Sequence, residues 1–323
     1  MKKIMVLFGE KRWISKPFSD DKYMYSYEYF YSICRKNEID VYRASYDWYD
    51  YKNKIFKYAW IFDTKNKKWK RAYNIKPDLV YDKTKSIPEA FMKISRIRAD
   101  YPFFNCMEFS KIVDDKFVIS MLFPEWCKKN KLIRDAKDLS RAFEKMPANK
   151  KLVLKPVNLS GGENVFIGTK KEIMAGIKKA KIKVADWMLQ DFIDSSNGIP
   201  GVMRGVHDLR LVLIDEKISY SYYRKPASGS LLANLAQGGS MEIVPINKLP
   251  QNLFPIIKKA NMLFSGFEHK IYALDVMFDR EQRPWIVELN SMPGMYFAKG
   301  QEDIRNRFYG DLVCVFKSLL GKN

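Results

Sequence analysis

The stretch 283-RPWIVELNSMPGM-295, read with 272-YALDVMFDREQ-282 just before it, decides how this chain folds. "WIVEL" is apolar enough for a buried strand, yet it carries Glu288, and Asn290 follows two residues later. Side chains alternate along a strand, so Glu288 and Asn290 share a face. A buried face does not tolerate a carboxylate unless a partner or a metal ion neutralises it. Asp275 is the simplest partner, because "YALDVMFD" is an apolar strand joined to "WIVELN" by the turn "DREQRP". Antiparallel pairing across that turn brings Asp275 beside Glu288 and Asn290. Two carboxylates and an amide oxygen make a hard, all-oxygen set, and Mg2+ binds through one or two carboxylates plus substrate phosphates. Two edge-strand acids in solvent are the competing reading of the same residues.

The remaining composition sets limits around this pair. A chain of 323 residues with 47% hydrophobic content is globular and long enough for two or three sub-domains. No apolar run approaches the roughly 20 residues of a membrane span. The N-terminal apolar run stops at Phe8 and charge resumes at Glu10, so it reads as a first strand and not as a signal peptide. Cys34, Cys106, Cys127 and Cys314 have no metal-type spacing and suit reduced packing residues in a cytoplasmic protein. The net charge of +20, from 57 Lys and Arg against 37 Asp and Glu, attracts nucleic acid, membrane surfaces or acidic substrates. The basic residues come as short pairs with no zinc-finger spacing, which favours a solvated lysine-rich surface over a nucleic-acid partner. The oligomeric state is left open, and a dimer is compatible with the chain.

Texture divides the chain at about 105 and 187. Residues 1–105 alternate the strands "KKIMVLFG", "NEIDVYRAS" and "KPDLVYDKT" with the aromatic helix "MYSYEYFYSICRKN", the pattern of a small parallel α/β unit. Residues 106–187 hold the helical stretches "SKIVDDKFVISMLF" and "DAKDLSRAFEKM", then a strand–loop–strand, "KLVLKPVNLSGGENVFIGT". Residues 188–323 supply "WMLQDFI", a hairpin turning at "IDEKI", the helix "LFPIIKKANMLFSGF", and the two acidic strands.

Two further groups carry chemistry. Lys155 ends the strand "KLVLKP" beside a loop in which Gly161 and Gly162 let backbone amides approach an anion. A lysine there supplies a point charge for phosphate oxygens, although it precedes the loop, unlike the Gly-Lys-Ser/Thr fingerprint. Asp208 and Arg210 share a face of "VHDLRLVLI", and Arg224 precedes the loop "SLLANLAQGGS". Arginines of this kind bind phosphate or carboxylate bidentately, and the loop suits a cover that excludes water. A plain surface hairpin is the bland alternative. His207 fits a surface histidine better than a catalytic base, and His269 is read as structural.

In this order the pieces "DDKF", "LKPVNLSGGENVF", "LQDFI", "HDLRLVLI", "RKPASGSLLANLAQGG", "ALDVMF" and "VELNSMPG" resemble the ATP-grasp superfamily of carboxylate–amine ligases. They are most similar to its glutathione synthetase and ribosomal-protein glutamate ligase branch. The resemblance implies a small N-terminal α/β domain followed by an α/β and α+β grasp of two sub-domains. It implies that Lys116, Lys155 and Asp208 line the nucleotide site and that Ser160, Gly161 and Gly162 close over the phosphates. Gln190, Asp191, Phe192 and Ile193 would form the adenine-reading hinge. Asp275, Glu288 and Asn290 would hold two Mg2+ ions, with Mn2+ as an alternative. Arg210 and Arg224 would face the acyl phosphate and the substrate carboxylate, with Asn234 at the reacting end. The implied activity joins a carboxylate to an amine at the expense of ATP, the substrates being small molecules or peptides and acidic ones suiting the basic surface. A grasp serving other phosphoryl transfer, and a basic nucleic-acid-binding protein, remain the alternatives.

Overall fold

The computed structural model describes residues 1–84, 88–159, 162–227 and 239–321. Two compact units emerge, Met1–Cys106 with Met292–Asn323, and Met107–Ser291. The sequence boundary at 187 therefore falls inside the second unit, and the last residues fold with the first.

The first unit is built on β1 (Lys2–Phe8), α1 (Asp21–Lys36), β2 (Ile39–Ser45), β3 (Tyr49–Asp50), β4 (Ile55–Asp63), β5 (Lys68–Ile75), β6 (Leu79–Asp82), α2 (Pro88–Asp100) and β7 (Phe103–Phe104). Asp20 starts α1 by accepting from the backbone N–H groups of Lys22 and Tyr23, which leaves fewer unpaired donors in the first turn. β1 pairs in parallel with β2 and β6, and β6 with β7. The expected all-parallel sheet is nevertheless mixed. β4 lies antiparallel to β2, β3 and β5, because the hairpin β4–β5 is a self-contained alternating unit closed by a short polar turn. Of the tyrosines of α1, Tyr27 and Tyr31 pack in the core, whereas Tyr23 and Tyr25 are exposed.

The second unit contains two antiparallel sheets. Helices α3 (Met107–Val113) and α4 (Lys116–Leu122) come first, then β8 (Asn130–Ile133), α5 (Ala136–Glu144), β9 (Leu152–Pro156), β10 (Phe166–Gly168), α6 (Lys170–Ala180) and β11 (Trp187–Asp191). The four strands run in the order β10-β9-β11-β8, and their apolar face packs Leu139 and Phe143 of α5 and Ile173 of α6 against Leu154 and Trp187. A capping box between Thr169 and Glu172 opens α6. The larger sheet, ordered β14-β13-β12-β15-β16, comprises β12 (Asp208–Ile214), β13 (Lys217–Lys225), β14 (Ser240–Ile243), β15 (Ile271–Phe278) and β16 (Pro284–Asn290), with α7 (Phe254–Leu263) between β14 and β15. The turn read at "IDEKI" joins β12 to β13, with Asp215 at φ 53, the left-handed conformation that two-residue hairpin turns require. β12 is buried at every position, the charged Asp208 and Arg210 included.

The chain then returns to the first unit, where α8 (Glu302–Gly321) places Phe316 against Tyr81 and Phe104 and lets the Tyr309 hydroxyl donate to the carbonyls of Ser26 and Met295, each at 3.0 Å. All four cysteines are free thiols. No helix among the described residues is long and apolar enough to cross a membrane.

Candidate active site

Strand register assembles a charged lattice on the larger sheet. Asp208 of β12 lies opposite Arg224 of β13, Arg210 lies opposite Asp275 of β15, and Asp275 lies opposite Glu288 of β16. Opposite signs therefore meet across neighbouring strands, where directly opposed side chains interact. Arg210 grips Asp275 with two parallel bonds, Nε to Oδ1 and Nη2 to Oδ2, both at 2.5 Å. Arg224 Nη2 reaches the same Oδ2 at 2.9 Å and also donates to Asp208. Burial works against the Asp275 charge, but the two guanidinium groups overcome it and hold the carboxyl below its ordinary range. Asp208 fares differently. Burial pushes its carboxyl up to about 6, against the pull of Arg224. Its Oδ1 and the Arg224 Nε are buried with no hydrogen-bond partner among the described residues, polar capacity that a ligand in the adjoining cavity can satisfy.

An irregularity in the β15–β16 pairing adds a further device. Asp275 pairs with Glu288 but Val276 pairs with Ile286, leaving Val287 as an extra residue. Bulges of this type re-aim groups beside functional sites. Here the Val287 carbonyl accepts from Lys155 Nζ at 2.9 Å. Lys155 is buried on β9, and burial, reinforced by the charge of Lys116, lowers its ammonium to about 8. Lys116 opens α4 next to the N-cap Asp115, donates to the Leu159 carbonyl, and stands 3.2 Å from Glu288 Oε2. The other Glu288 oxygen lies 3.8 Å from Arg210. Glu288 thus has looser partners than Asp275.

Most of these groups line a cavity of about 460 Å³ inside the second unit, a volume typical of nucleotide and cofactor pockets. Lys116, Lys155, Asp208, Arg224, Asp275 and Glu288 all border it, and Gly162, at φ 72, contributes from the glycine loop. Val153, Ile167, Ile193 and Met277 add apolar lining, and residues 190–193 border it as well. The Asp191 side chain pairs with Lys150 at 2.6 Å and its backbone N–H donates to the Lys129 carbonyl, which leaves Phe192 and Ile193 as the freer stretch of that strand. Arg210 and Asn290 do not border the cavity; Arg210 stands behind Asp275, and Asn290 sits opposite Ala273 on the face that bears Glu288. Ser160, Gly161 and Asn234 lie outside the described residues.

Among the described residues no three His, Cys, Asp or Glu side chains stand close enough to hold a metal on their own. The oxygen chemistry of Asp275, Glu288 and Asn290 nevertheless fits a hard cation whose remaining ligands come from phosphate, the way Mg2+ is commonly held.

His207 corrects the sequence expectation. It is fully buried and not a surface residue, and its Nε2 accepts the Phe278 N–H at 3.0 Å while Nδ1 faces the Gly205 carbonyl at 3.2 Å. Burial lowers its pKa, and protonating Nε2 would set two N–H groups against each other. The folded pKa lies below the unfolded one, so the unfolded chain binds the extra proton first. Stability should therefore fall as pH drops through about 6.5 and level off below the folded value. Urea midpoints from pH 7.5 to 5 should show this decline, and His207→Gln should flatten it. His269 is structural as expected, its Nδ1 lying 3.2 Å from Asp215.

Sequence reading missed Asp114. It is half-buried beside the cavity groups and accepts from both the backbone N–H (2.7 Å) and the hydroxyl (2.8 Å) of Ser291, directly after Asn290. The only signal was the doubled acid of "DDKF", since a contact across 177 residues leaves no local pattern.

Comparison with known proteins matches the geometry. A model of the RimK-like ATP-grasp domain covers residues 124–305, more than half of the chain. A glutathione synthetase of Yersinia pestis is 27% identical over 154 residues, which is 46% of this chain and 44% of that protein. A probable alpha-L-glutamate ligase of Shewanella halifaxensis is 29% identical over 163 residues, 50% of this chain and 31% of that protein. The chain thus spans less than half the length of these curated relatives. Among solved structures, a D-Ala:D-Ser ligase of Enterococcus faecalis superposes with a TM-score of 0.65 at 13% identity over 99% of both chains. A D-alanine–D-alanine ligase of Bacillus anthracis complexed with ATP gives 0.62 at 13% identity, covering 100% of this chain and 98% of that one. With two antiparallel sheets in the second unit, and a family model matched across residues 124–305, the chain belongs to the RimK-like ATP-grasp domain family.

Proposed function

We propose that the protein is an ATP-dependent ligase that joins a carboxylate to an amine through an acyl phosphate and releases ADP and phosphate. The observation that carries this reading is a cavity lined both by cations and carboxylates, Lys116, Lys155, Arg224, Asp275 and Glu288, and by apolar side chains, Val153, Ile167, Ile193 and Met277. An adenine ring suits the apolar lining, with Phe192 and Ile193 as the backbone that reads it. The phosphate tail suits Lys116, Lys155 and Arg224.

Asp275, Glu288 and Asn290 would hold a divalent cation such as Mg2+. A divalent cation bound there supplies charge neutralisation for the transferring phosphoryl group. The chain's own residues do the rest. The attacking carboxylate and the γ-phosphate are both anions that repel, and Lys155 and Arg224 offset that repulsion. The carboxylate oxygen bonds to the γ-phosphorus as the bond to ADP breaks. The amine then bonds to the acyl carbon, phosphate leaves, and the amine gives up its proton. Water would destroy the acyl phosphate, so an enclosed cavity is part of the chemistry. Asp208 Oδ1 and Arg224 Nε, buried and without a hydrogen-bond partner among the described residues, would be free for the ligand.

The test is a screen of amino acids and peptides for ADP release, with the product identified by mass. A carboxylate–amine pair that accelerates ADP release and yields the amide supports the reading; transfer of phosphate to a lone acceptor, with no amide, contradicts it.

Asp114 should matter here through Ser291, whose position sets that of Asn290. Asp114→Ala is expected to raise the Mg2+ concentration for half-maximal ADP release by about 10- to 100-fold, the usual cost of losing a group that orients metal ligands. Asp114→Asn, which keeps an acceptor for the Ser291 N–H, should recover most of that loss. Equal metal titrations for Ala and wild type would remove Asp114 from the site.

A further inference from the structure

We propose that the outer edge of the β4–β5 hairpin docks an extended acidic polypeptide segment, which adds to β5 as a further strand. The inference stands apart from the ligase reading and concerns the first unit alone.

Residues 52–76 contain nine Lys and Arg against one acid, Asp63, a net of +8 within a chain whose total is +20. All nine are exposed. Lys54 is held by Asp100 and Lys70 by Asp63, and Arg71 lies over the Trp13 ring at 4.8 Å. Lys52, Lys57, Lys65, Lys67, Lys68 and Lys76 make no ion pair among the described residues. Such a concentration of like charge costs repulsion, and an anionic partner would relieve it.

The backbone narrows the class of partner. β5 pairs only with β4 among the described residues, so its other edge presents main-chain N–H and C=O groups. An extended peptide completes such an edge with main-chain hydrogen bonds, and side-chain matching supplies selectivity. A nucleic acid satisfies the charge but not the ladder. Register sets the side chains: Lys68 lies opposite Asp63 and Lys70 opposite Ile61, so Lys57, Lys68 and Lys70 occupy one face. Acidic residues at alternate positions of an added strand would fall beside Lys68 and Lys70. Lysines on an edge strand also repel apolar and basic edges, which is protection against aggregation; the same charges leave an acidic strand as the permitted neighbour. The edge is held firmly from beneath. Trp69 donates its indole N–H to Glu28 of α1 at 2.8 Å and packs on Tyr31 and Phe62.

The experiment titrates the full chain into a labelled peptide of alternating glutamate and threonine and follows fluorescence anisotropy. In parallel it uses the same peptide N-methylated at alternate residues, and a single-stranded oligothymidylate of equal charge. Expected are saturable binding of the peptide and a loss of at least about tenfold on N-methylation, which removes ladder donors without touching charge. The triple variant Lys65→Glu, Lys67→Glu, Lys68→Glu should lose at least about tenfold as well, with an unchanged melting temperature as the folding control. The amides of β5 should gain protection from hydrogen exchange when peptide is bound. N-methylated peptide binding as tightly as its parent, or oligothymidylate binding more tightly than either, would overturn the proposal. ADP release is read separately, so a failed docking test leaves the ligase assignment untouched, and the reverse holds too.

Discussion

Glu288→Gln should reduce ADP release by at least about a hundredfold, roughly 2.7 kcal/mol of transition-state stabilisation, while leaving the fold intact. The substitution is nearly isosteric. Lys116 and Arg210 stand 3.2 and 3.8 Å from the Glu288 oxygens, and both have other partners, the Leu159 carbonyl and Asp275. The loss therefore falls on metal and phosphate rather than on packing. Isothermal titration should show weakened Mg2+-dependent nucleotide binding, and the urea midpoint should move little. Near-normal turnover in this variant would contradict the metal role outright.

Asp275→Ala should act on stability first. Asp275 is almost completely buried and is the common acceptor of Arg210 and Arg224. Removing one member of a buried ion cluster strands the other charges without solvent, at a cost of about 3–5 kcal/mol. Arg224 keeps Asp208, but Arg210 keeps only the 3.8 Å contact with Glu288. Equilibrium unfolding in urea should report this loss. Replacing Arg210 by Met in the same chain should recover a large part of it, because the stranded charge is gone, while ADP release stays abolished. Additive losses in the double variant would mean that the two residues do not stabilise one another.

The contrast between these two variants follows from the same row of residues. Glu288 and Asp275 face each other across β15 and β16, yet one is loosely held at the cavity and the other is locked by arginines. Their chemistry as carboxylates is identical, and their surroundings assign them different tasks.

Much of this was legible in residue order. The alternation in "WIVELN" and the apolar run of "YALDVMF" fixed two neighbouring strands, and the short turn between them forced Asp275 toward Glu288. The "IDEKI" turn was equally local. A period of two or 3.6 residues is written in the chain wherever one face of an element is buried. Helices α2, α6 and α8 escaped this reading, although Thr169 and Glu172 spell a capping box at the start of α6. The β4–β5 hairpin escaped it too, since its lysine-rich texture masks the alternation and turned an expected parallel sheet into a mixed one.

Residue order alone thus dictated which segments become strands and which carboxylates share a face, because those are properties of near neighbours. Folding in three dimensions decided the rest. It placed Arg210 and Arg224 on Asp275, offered the Val287 carbonyl to Lys155 through one extra residue, buried His207, and tied Asp114 to Ser291. Each of these joins residues far apart along the chain, and what selects them is cross-strand register and the low polarity of the interior, neither of which has a local signature.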